Sequence, residues 1–190
     1  MLSGRRLDLL NPSPDDIAIE DIAHGLARVV RWNGQTVGAH AFSVAQHALL
    51  VEVIAGNLDP GWPPAWRLAA LLHDAAEYVI GDLISPFKAA IGLDYKAFEH
   101  RLLAAIHTRF TLPYPLPEAA AAGIKRADRI AAFHEATRLA GFNLAEGQQY
   151  FGPVEKLPEP LAAALTSLQA LPARHIQERF IRRFSELHSA

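Results

Sequence analysis

Apolar side chains recur at the spacing of an α-helix along most of the chain, and proline and glycine separate these stretches into helical lengths. Pro63 and Pro64 stand before the third stretch, and Gly81 stands where it ends. Asp94 is predicted to be the N-cap of the fourth stretch. The spacing predicts helices at about 19–31, 42–56, 65–80, 94–110 and 118–141, one after Pro160 and one from Ala173 to the C-terminus.

No stretch alternates between apolar and polar residues for long enough to demand a β-sheet, although 6–10 could form a short extended piece. Apolar residues make up 51% of the 190 residues, which is enough for a core of ordinary size. No internal repeat, low-complexity tract or interdomain linker is visible. The prediction is an all-α fold in a single domain, 1–190, with its functional core at about 31–140 and the flanking segments packed on it.

The composition removes several classes of function. There is no cysteine, so disulfide scaffolds, zinc ribbons, iron–sulfur sites and thiol catalysis are excluded, and any metal must be held by nitrogen and oxygen ligands. The 18 basic residues are balanced by 20 acidic ones, so no basic field points to nucleic acid as a partner. Because neither a signal peptide nor an apolar stretch of roughly 20 residues is visible, we expect a soluble cytoplasmic protein without a membrane partner.

The third predicted helix carries three ionisable residues in the middle of an apolar pattern: His73, Asp74 and Glu77. On a continuous helix, Glu77 lies four residues after His73 and three after Asp74, so the three side chains share one side. A buried carboxylate needs a cation or a hydrogen-bonding partner, and an adjacent imidazole and carboxylate offer nitrogen and oxygen to one ion. A His-Asp pair alone is also common by chance. Two further apolar helices each carry one isolated candidate ligand, His47 and Asp128.

Five short motifs, in this order along the chain, resemble the HD-domain phosphohydrolase superfamily and in particular its bacterial 5′-deoxyribonucleotidases. They are Arg31-Trp32, Ser43-Val-Ala-Gln-His47, His73-Asp-Ala-Ala-Glu77, Gly81-Asp-Leu-Ile-Ser-Pro-Phe-Lys88 and Lys125-Arg-Ala-Asp128. The matching segments run from Arg31 to Asp128, and the flanks are also helical in pattern. The resemblance therefore implies a single HD-domain helical bundle with a mononuclear metal site between its helices.

The resemblance also implies roles for particular residues. The ligands of one divalent ion would be His47, His73, Asp74 and Asp128. The catalytic residues would be Asp74 and Glu77, with Glu77 positioning or deprotonating the attacking water. The substrate-binding residues would be Arg31 and Trp32 at the phosphate, Asp82 and Ser85 in a loop that holds the sugar, and Lys88, which adds positive charge. The ion would be Co, Mn, Fe, Ni, Zn or Mg, because nitrogen and oxygen donors are compatible with all of them.

The activity implied is that of a 5′-nucleotidase, which hydrolyses (deoxy)ribonucleoside 5′-monophosphates to nucleoside and phosphate. Two imidazoles and two carboxylates would neutralise a divalent cation and leave positions for water and a phosphate oxygen, which fits hydrolysis of a phosphomonoester. One alternative is a deoxynucleoside triphosphate triphosphohydrolase, for which the basic groups would be Arg31, Lys88, Lys125, Arg126 and Arg129. A second alternative is a non-catalytic module that senses a nucleotide. The nucleotide is the expected partner, and a homodimer is in keeping with the family.

Two positions are unusual. Ile84 stands in the sugar loop where the characterised enzymes favour proline, which leaves strict selection of deoxyribose open. His40 lies seven residues before His47 and would point nearly the same way on a continuous helix. It would then contact a metal ligand or the substrate. Because Gly38 interrupts that helix, the favoured interpretation places His40 in a surface loop.

Overall fold

The computed structural model describes residues 1–83 and 93–190. Within these ranges the chain is all-helical, which confirms the predicted fold class. The β pairing found there is one isolated bridge, between Val30 and Ser43. The α-helices of the described ranges are α1 (Ile19–Leu26), α2 (Val44–Leu58), α3 (Pro64–Leu71), α4 (Glu77–Ile80), α5 (Leu93–Arg109), α6 (Glu118–Arg138), α7 (Leu144–Phe151), α8 (Leu161–Thr166) and α9 (Ala173–His188).

Helix α2 lies at the centre of the packing, in contact with α3, α6 and α9. It begins at Ser43, whose side chain accepts a hydrogen bond from the backbone N–H of Gln46, an N-cap that satisfies one of the free donors of the first turn. Apolar side chains along α2, among them Val44, Val51 and Ile54, are buried in a core cluster that draws residues from Ile17 to Leu187. A polar side chain on the first two turns of α2, such as His47, is therefore fixed in position by a packed core.

Helix α1 ends at Leu26, five residues before the predicted end at Arg31. The prediction of a continuous helix to Arg31 is wrong because the chain turns there and pairs with the segment before α2. Arg31 donates its backbone N–H to Phe42 O at 2.8 Å, and Val44 donates to Val29 O at 3.0 Å. This short pairing places Arg31 and Trp32 beside the first turn of α2.

The third predicted helix, 65–80, is divided in two. Helix α3 ends at Leu71, residues 72–76 form turns, and α4 begins at Glu77. The break has a local cause: both the backbone N–H and the Nδ1 atom of His73 lie against Ala70 O, at 3.5 and 2.9 Å, so this carbonyl is occupied by His73. The premise that His73, Asp74 and Glu77 follow one continuous helix is therefore wrong. Gly81 ends α4 as predicted, in the left-handed region at φ 78°.

Helix α7 is an element that the apolar spacing did not predict. Its N-terminus has a capping box, in which Asn143 accepts from Glu146 N at 3.0 Å and Glu146 accepts from Asn143 N at 2.8 Å. Gly147 lets α7 approach α6 closely, because a Cβ there would lie 2.6 Å from Thr137 Cγ2 and 2.9 Å from Phe133 Cε2. The sequence pattern Asn-x-x-Glu was the available signal for this helix.

The remaining helices follow the prediction more closely. The helices predicted after Pro160 and from Ala173 are present as α8 and α9. Asp94 lies inside α5, which includes Leu93, so its prediction as an N-cap is wrong. Residues 6–10 form no β pairing. No helix in the described ranges is both long enough and apolar enough to cross a lipid bilayer.

Candidate functional site

Three of the predicted metal ligands meet between the helices. His47 comes from α2, His73 from the turn after α3, and Asp128 from α6. One ligand atom from each lies within 4.8 Å of the other two, a grouping that could hold a metal ion. Residues 47 and 128 are 81 positions apart in the sequence, so this cluster is a product of the packing of α2 against α6.

Asp74, the fourth predicted ligand, lies against both imidazoles. Its Oδ2 atom is 3.2 Å from His73 Nε2 and 3.6 Å from His47 Nε2. Asp128 Oδ1 lies 3.3 Å from His47 Nε2. All four residues that the sequence singled out as ligands are therefore neighbours, with Asp74 close to both ring nitrogens and Asp128 close to that of His47.

The orientation of both imidazoles suits a cation. His73 Nδ1 donates to Ala70 O at 2.9 Å, and His47 Nδ1 donates to Glu135 Oε1 at 2.5 Å. With Nδ1 protonated in this way, the neutral form of each ring directs an Nε2 lone pair toward the cluster. Both Nε2 atoms are buried and have no hydrogen-bond partner among the described residues. Because buried polar atoms rarely stay unpaired in proteins, the pair fits the two nitrogen ligands of a divalent ion.

The electrostatics of the cluster also favour positive charge between the ring nitrogens. Burial and the nearby Arg31 charge lower the pKa of His47, but the carboxylates of Glu135 and Asp128 outweigh both and raise it to about 10. Burial raises the pKa of Asp74, but the adjacent His73, His47 and Arg31 hold it well below its usual value. Asp74 therefore remains a carboxylate, the form in which it can bind a metal.

A cavity of about 790 Å³ opens beside the cluster. Asp74 and Asp128 lie in its wall, and so does Glu77, whose side chain is only 2% exposed. The first residues after α4 complete this side of the cavity, with Asp82 among them. The structure thus brings Glu77, the predicted proton acceptor, to the same cavity as the predicted ligands Asp74 and Asp128, although the continuous helix expected to do so is absent.

Glu135 connects the candidate ligands to the two predicted phosphate-binding residues. It is fully buried on α6 and accepts hydrogen bonds from Arg31 Nε at 3.2 Å and from Trp32 Nε1 at 3.0 Å, in addition to the bond from His47. Burial raises its pKa, but the charges of Arg31 and His47 prevail and lower it to about 2. A single ionised carboxylate therefore fixes one imidazole, one guanidinium and one indole.

Arg31 and Trp32 both line the cavity. Arg31 is held by Glu135 and, on its other side, by Asp82 Oδ2 at 3.5 Å. Trp32 has a φ of 56°, in the left-handed region that a bulky side chain rarely adopts. Such a conformation persists only where the surroundings enforce it, and here the bond to Glu135 orients the indole.

Comparison with known proteins identifies two relatives along nearly the full chain. The chain is 52% identical to the uncharacterized protein RCAP_rcc00048 of Rhodobacter capsulatus over 183 residues, which are 96% of this chain and 91% of that protein. It is 32% identical to the uncharacterized protein YfdR of Escherichia coli (strain K12) over 186 residues, which are 97% of this chain and 92% of that protein. The chain belongs to the family of these two proteins.

Membership of the family of RCAP_rcc00048 and YfdR assigns no activity, since both relatives are described as uncharacterized. No protein-family model matches the chain. The predicted resemblance to HD-domain phosphohydrolases therefore stays a prediction.

Not all of the residues singled out in the sequence are placed at the site by the structure. Ser85, predicted to hold the sugar, and Lys88, predicted to add positive charge, lie outside the described residues, as does Ile84. His40 is exposed in the loop before α2, in agreement with the favoured interpretation, because α2 starts only at Val44.

Glu135 is a residue at the site that was not among the residues predicted from the sequence. It follows Asp128 by seven residues on α6, so the two side chains lie on the same face two turns apart. This spacing was the available signal. It was hidden because a single glutamate in an alanine-rich helix is usually a solvated residue.

Proposed function

We propose that the protein is a divalent-metal-dependent phosphohydrolase of the HD-domain type, acting as a 5′-nucleotidase on (deoxy)ribonucleoside 5′-monophosphates. The observation that carries the proposal is the meeting of two unpartnered buried imidazole nitrogens with two aspartates at a cavity that also holds a buried glutamate and an arginine. Metal ligands, a proton acceptor and a cation beside one cavity are the groups that hydrolysis of a phosphomonoester requires.

The residues that would hold the ion are His47, His73, Asp74 and Asp128. When bound, a divalent ion supplies a Lewis acid for the phosphoryl oxygens and lowers the pKa of a water molecule. Glu77, nearly buried at the cavity wall, accepts the proton that the attacking water loses. A buried carboxylate suits this task because few competing water molecules surround it.

Arg31 binds the phosphate of the substrate in this proposal. Its guanidinium has five N–H donors, of which Glu135 and Asp82 occupy only part, and it borders the cavity. Burial lowers the pKa of Arg31, but the neighbouring carboxylates outweigh it and raise this already high pKa, so its positive charge is permanent. It can therefore offset the negative charge that gathers on the phosphoryl oxygens during hydrolysis.

Release of inorganic phosphate from a panel of nucleoside monophosphates tests the proposal. We expect release from dAMP or another member of the panel with at least one of Mn²⁺, Co²⁺, Fe²⁺, Ni²⁺, Zn²⁺ or Mg²⁺, and none after chelation. Binding of the nucleotide without phosphate release under every ion would instead favour a nucleotide-sensing module. The proposal is refuted if the protein neither binds any nucleotide of the panel nor releases phosphate from it.

The second candidate is a triphosphohydrolase acting on deoxynucleoside triphosphates. The exposed Lys125 and Arg129 line the cavity together with Arg31, and a triphosphate needs such additional cations. The two activities differ in product, since a triphosphohydrolase releases tripolyphosphate from dATP while the nucleotidase releases phosphate from dAMP. Chromatography of both reactions on one protein preparation separates the candidates.

Replacing Glu135 with glutamine is expected to weaken metal binding by about 10–100-fold. The amide oxygen of glutamine still accepts hydrogen bonds from Arg31 and Trp32, but the negative charge beside His47 is lost. A neutral partner supports the ligand imidazole less well and reduces its basicity. Competition with a chelating metal indicator measures the affinity directly, without any assay of turnover.

Glu52→Gln is the matched control for this substitution. Glu52 is equally inaccessible to solvent, and it is paired with Arg67 and Arg183 away from the cavity of the candidate site. We expect Glu52→Gln to affect stability but to leave metal affinity within about twofold of the wild type. Equal metal affinities for the two variants would remove Glu135 from the support of the metal centre.

A further inference from the structure

Four aromatic side chains form one continuous group at the cavity of the candidate site, which we call the aromatic wall: Trp32, Phe142, Tyr150 and Phe151. Trp32 contacts Phe142 and Phe151 edge to face, with ring centroids 5.7 and 5.9 Å apart. Tyr150 contacts Phe142 at 6.0 Å and Phe151 at 6.5 Å. Phe142 precedes α7, and Tyr150 and Phe151 lie on it, in a part of the chain where the sequence predicted no element.

The exposure of the aromatic wall is uneven. Tyr150 is 66% exposed, while the other three rings are partly buried against one another. Packing alone does not require a large aromatic side chain at a position that leaves two thirds of its surface in water. An exposed aromatic ring at the wall of a cavity is a typical feature of a surface that binds a flat ligand.

The aromatic wall is also held in a fixed position relative to the candidate metal centre. Gly147 brings α7 into close contact with α6, the helix that carries Asp128 and Glu135. Trp32 donates its indole N–H to Glu135 and packs against Phe142 and Phe151. A ligand that contacts both the wall and the metal cluster would therefore meet two surfaces whose separation is set by the fold.

The charges around the same cavity determine the kind of ligand that fits. Arg31, Lys125 and Arg129 provide positive charge, and Asp74 and Asp128 lie where a cation would be held. A ligand that uses all of these surfaces has a phosphate for the cations and a flat aromatic ring for the wall.

We propose that Tyr150, supported by Phe142 and Phe151, is a base-stacking subsite that makes the cavity selective for phosphomonoesters carrying a purine or pyrimidine. The inference rests on the proposed function, because it assigns the base of the substrate to the aromatic wall while the phosphate faces the metal cluster. Stacking on a side-chain ring tolerates every base, since each base has a π-face. The subsite therefore separates nucleotides from sugar phosphates and does not select one base.

Tyr150→Ala tests the subsite through a comparison of two substrates, dAMP and 2-deoxyribose 5-phosphate, in the presence of saturating Mn²⁺. We expect KM for dAMP to rise about tenfold with kcat changed less than about twofold, because stacking holds the base without taking part in the chemistry. KM for 2-deoxyribose 5-phosphate is expected to stay unchanged. Tyr150→Phe keeps the ring and should restore KM for dAMP to within about twofold of the wild type.

Leu144→Ala is the matched control, because Leu144 is an exposed apolar residue on the same helix, 61% exposed, and is not part of the cavity wall. It should leave both KM values unchanged. The proposal is overturned if Tyr150→Ala raises both KM values equally, or raises neither.

Calorimetric binding of the same two compounds separates the subsite from the proposed hydrolysis. A wild-type protein that binds dAMP at least about fivefold more tightly than 2-deoxyribose 5-phosphate, with the difference lost in Tyr150→Ala, supports the subsite even if no phosphate is released. Hydrolysis of both compounds with no difference in binding refutes the subsite and leaves the nucleotidase proposal standing. If the protein binds neither compound, the subsite and the nucleotidase proposal are both refuted.

Discussion

Asp74→Ala is expected to abolish metal retention and, with it, phosphate release. The substitution removes one oxygen ligand and leaves the Nε2 atoms of His47 and His73 without the carboxylate that lies 3.6 and 3.2 Å away. Loss of one of four ligands lowers the affinity for a divalent ion by more than about a hundredfold. Elemental analysis after gel filtration should give about one ion per wild-type chain and less than about a tenth of an ion per variant chain.

Thermal unfolding provides a second readout that does not depend on turnover. A ligand that binds only the folded state stabilises it by about 2.7 kcal/mol when present at a hundred times its Kd. Addition of the activating ion should therefore raise the Tm of the wild type and leave the Tm of Asp74→Ala unchanged. Asp15→Ala, at an exposed position in the N-terminal region, is the control and should respond like the wild type. Full metal content in Asp74→Ala would remove Asp74 from the ligand set.

The candidate ligands could be predicted from the sequence even though part of the local reasoning was wrong. His47 and Asp128 were visible as isolated polar residues in apolar helices, and the structure brings both to His73. The expected continuous helix from Ala65 to Ile80 was wrong, because the contact of His73 with Ala70 O ends the regular helix. The prediction that these residues lie together did not depend on this error, because it rests on the types and order of the residues in the motifs. The helical spacing adds an assumption about backbone conformation, and only that assumption was wrong.

What could not be predicted depends on contacts between distant parts of the chain. Glu135 accepts bonds from residues 103 and 104 positions away, and nothing near it in the sequence marks these partners. The pairing of Arg31 with Phe42 is similar, since it depends on how the chain turns after α1. Helix propensity and apolar spacing describe neighbours along the chain, so they predicted most helices but neither of these long-range connections.

Arg31 shows how the fold of the site and its proposed chemistry depend on each other. Before a substrate binds, its guanidinium is held by the carboxylates of Glu135 and Asp82. These bonds keep a long side chain in one orientation beside the cavity, so little conformational entropy remains to be lost when a phosphate arrives. The same Glu135 orients His47, which means that the phosphate-binding and metal-binding halves of the candidate site share one support.

Glu77→Gln is expected to retain the metal ion and to lose most of the turnover. Glutamine has the same shape as glutamate but cannot accept the proton of the attacking water, and removal of a general base typically costs about 10²–10⁴-fold in rate. Because this role concerns the transition state, kcat should fall while KM for the nucleotide changes by less than about threefold. Turnover is measured as phosphate release from dAMP, and the bound metal is measured by elemental analysis of the same preparation.

Comparison with other glutamate variants distinguishes this role from a structural one. Glu77 and Glu52 are both buried, but only Glu77 borders the cavity, so Glu52→Gln should keep its kcat. Glu135→Gln should show the opposite pattern to Glu77→Gln, with weakened metal binding and activity that recovers as the ion concentration is raised. In Glu77→Ala, added formate can occupy the space left by the side chain and accept the proton, so partial recovery of kcat is expected. Unchanged turnover in Glu77→Gln would exclude Glu77 from proton transfer.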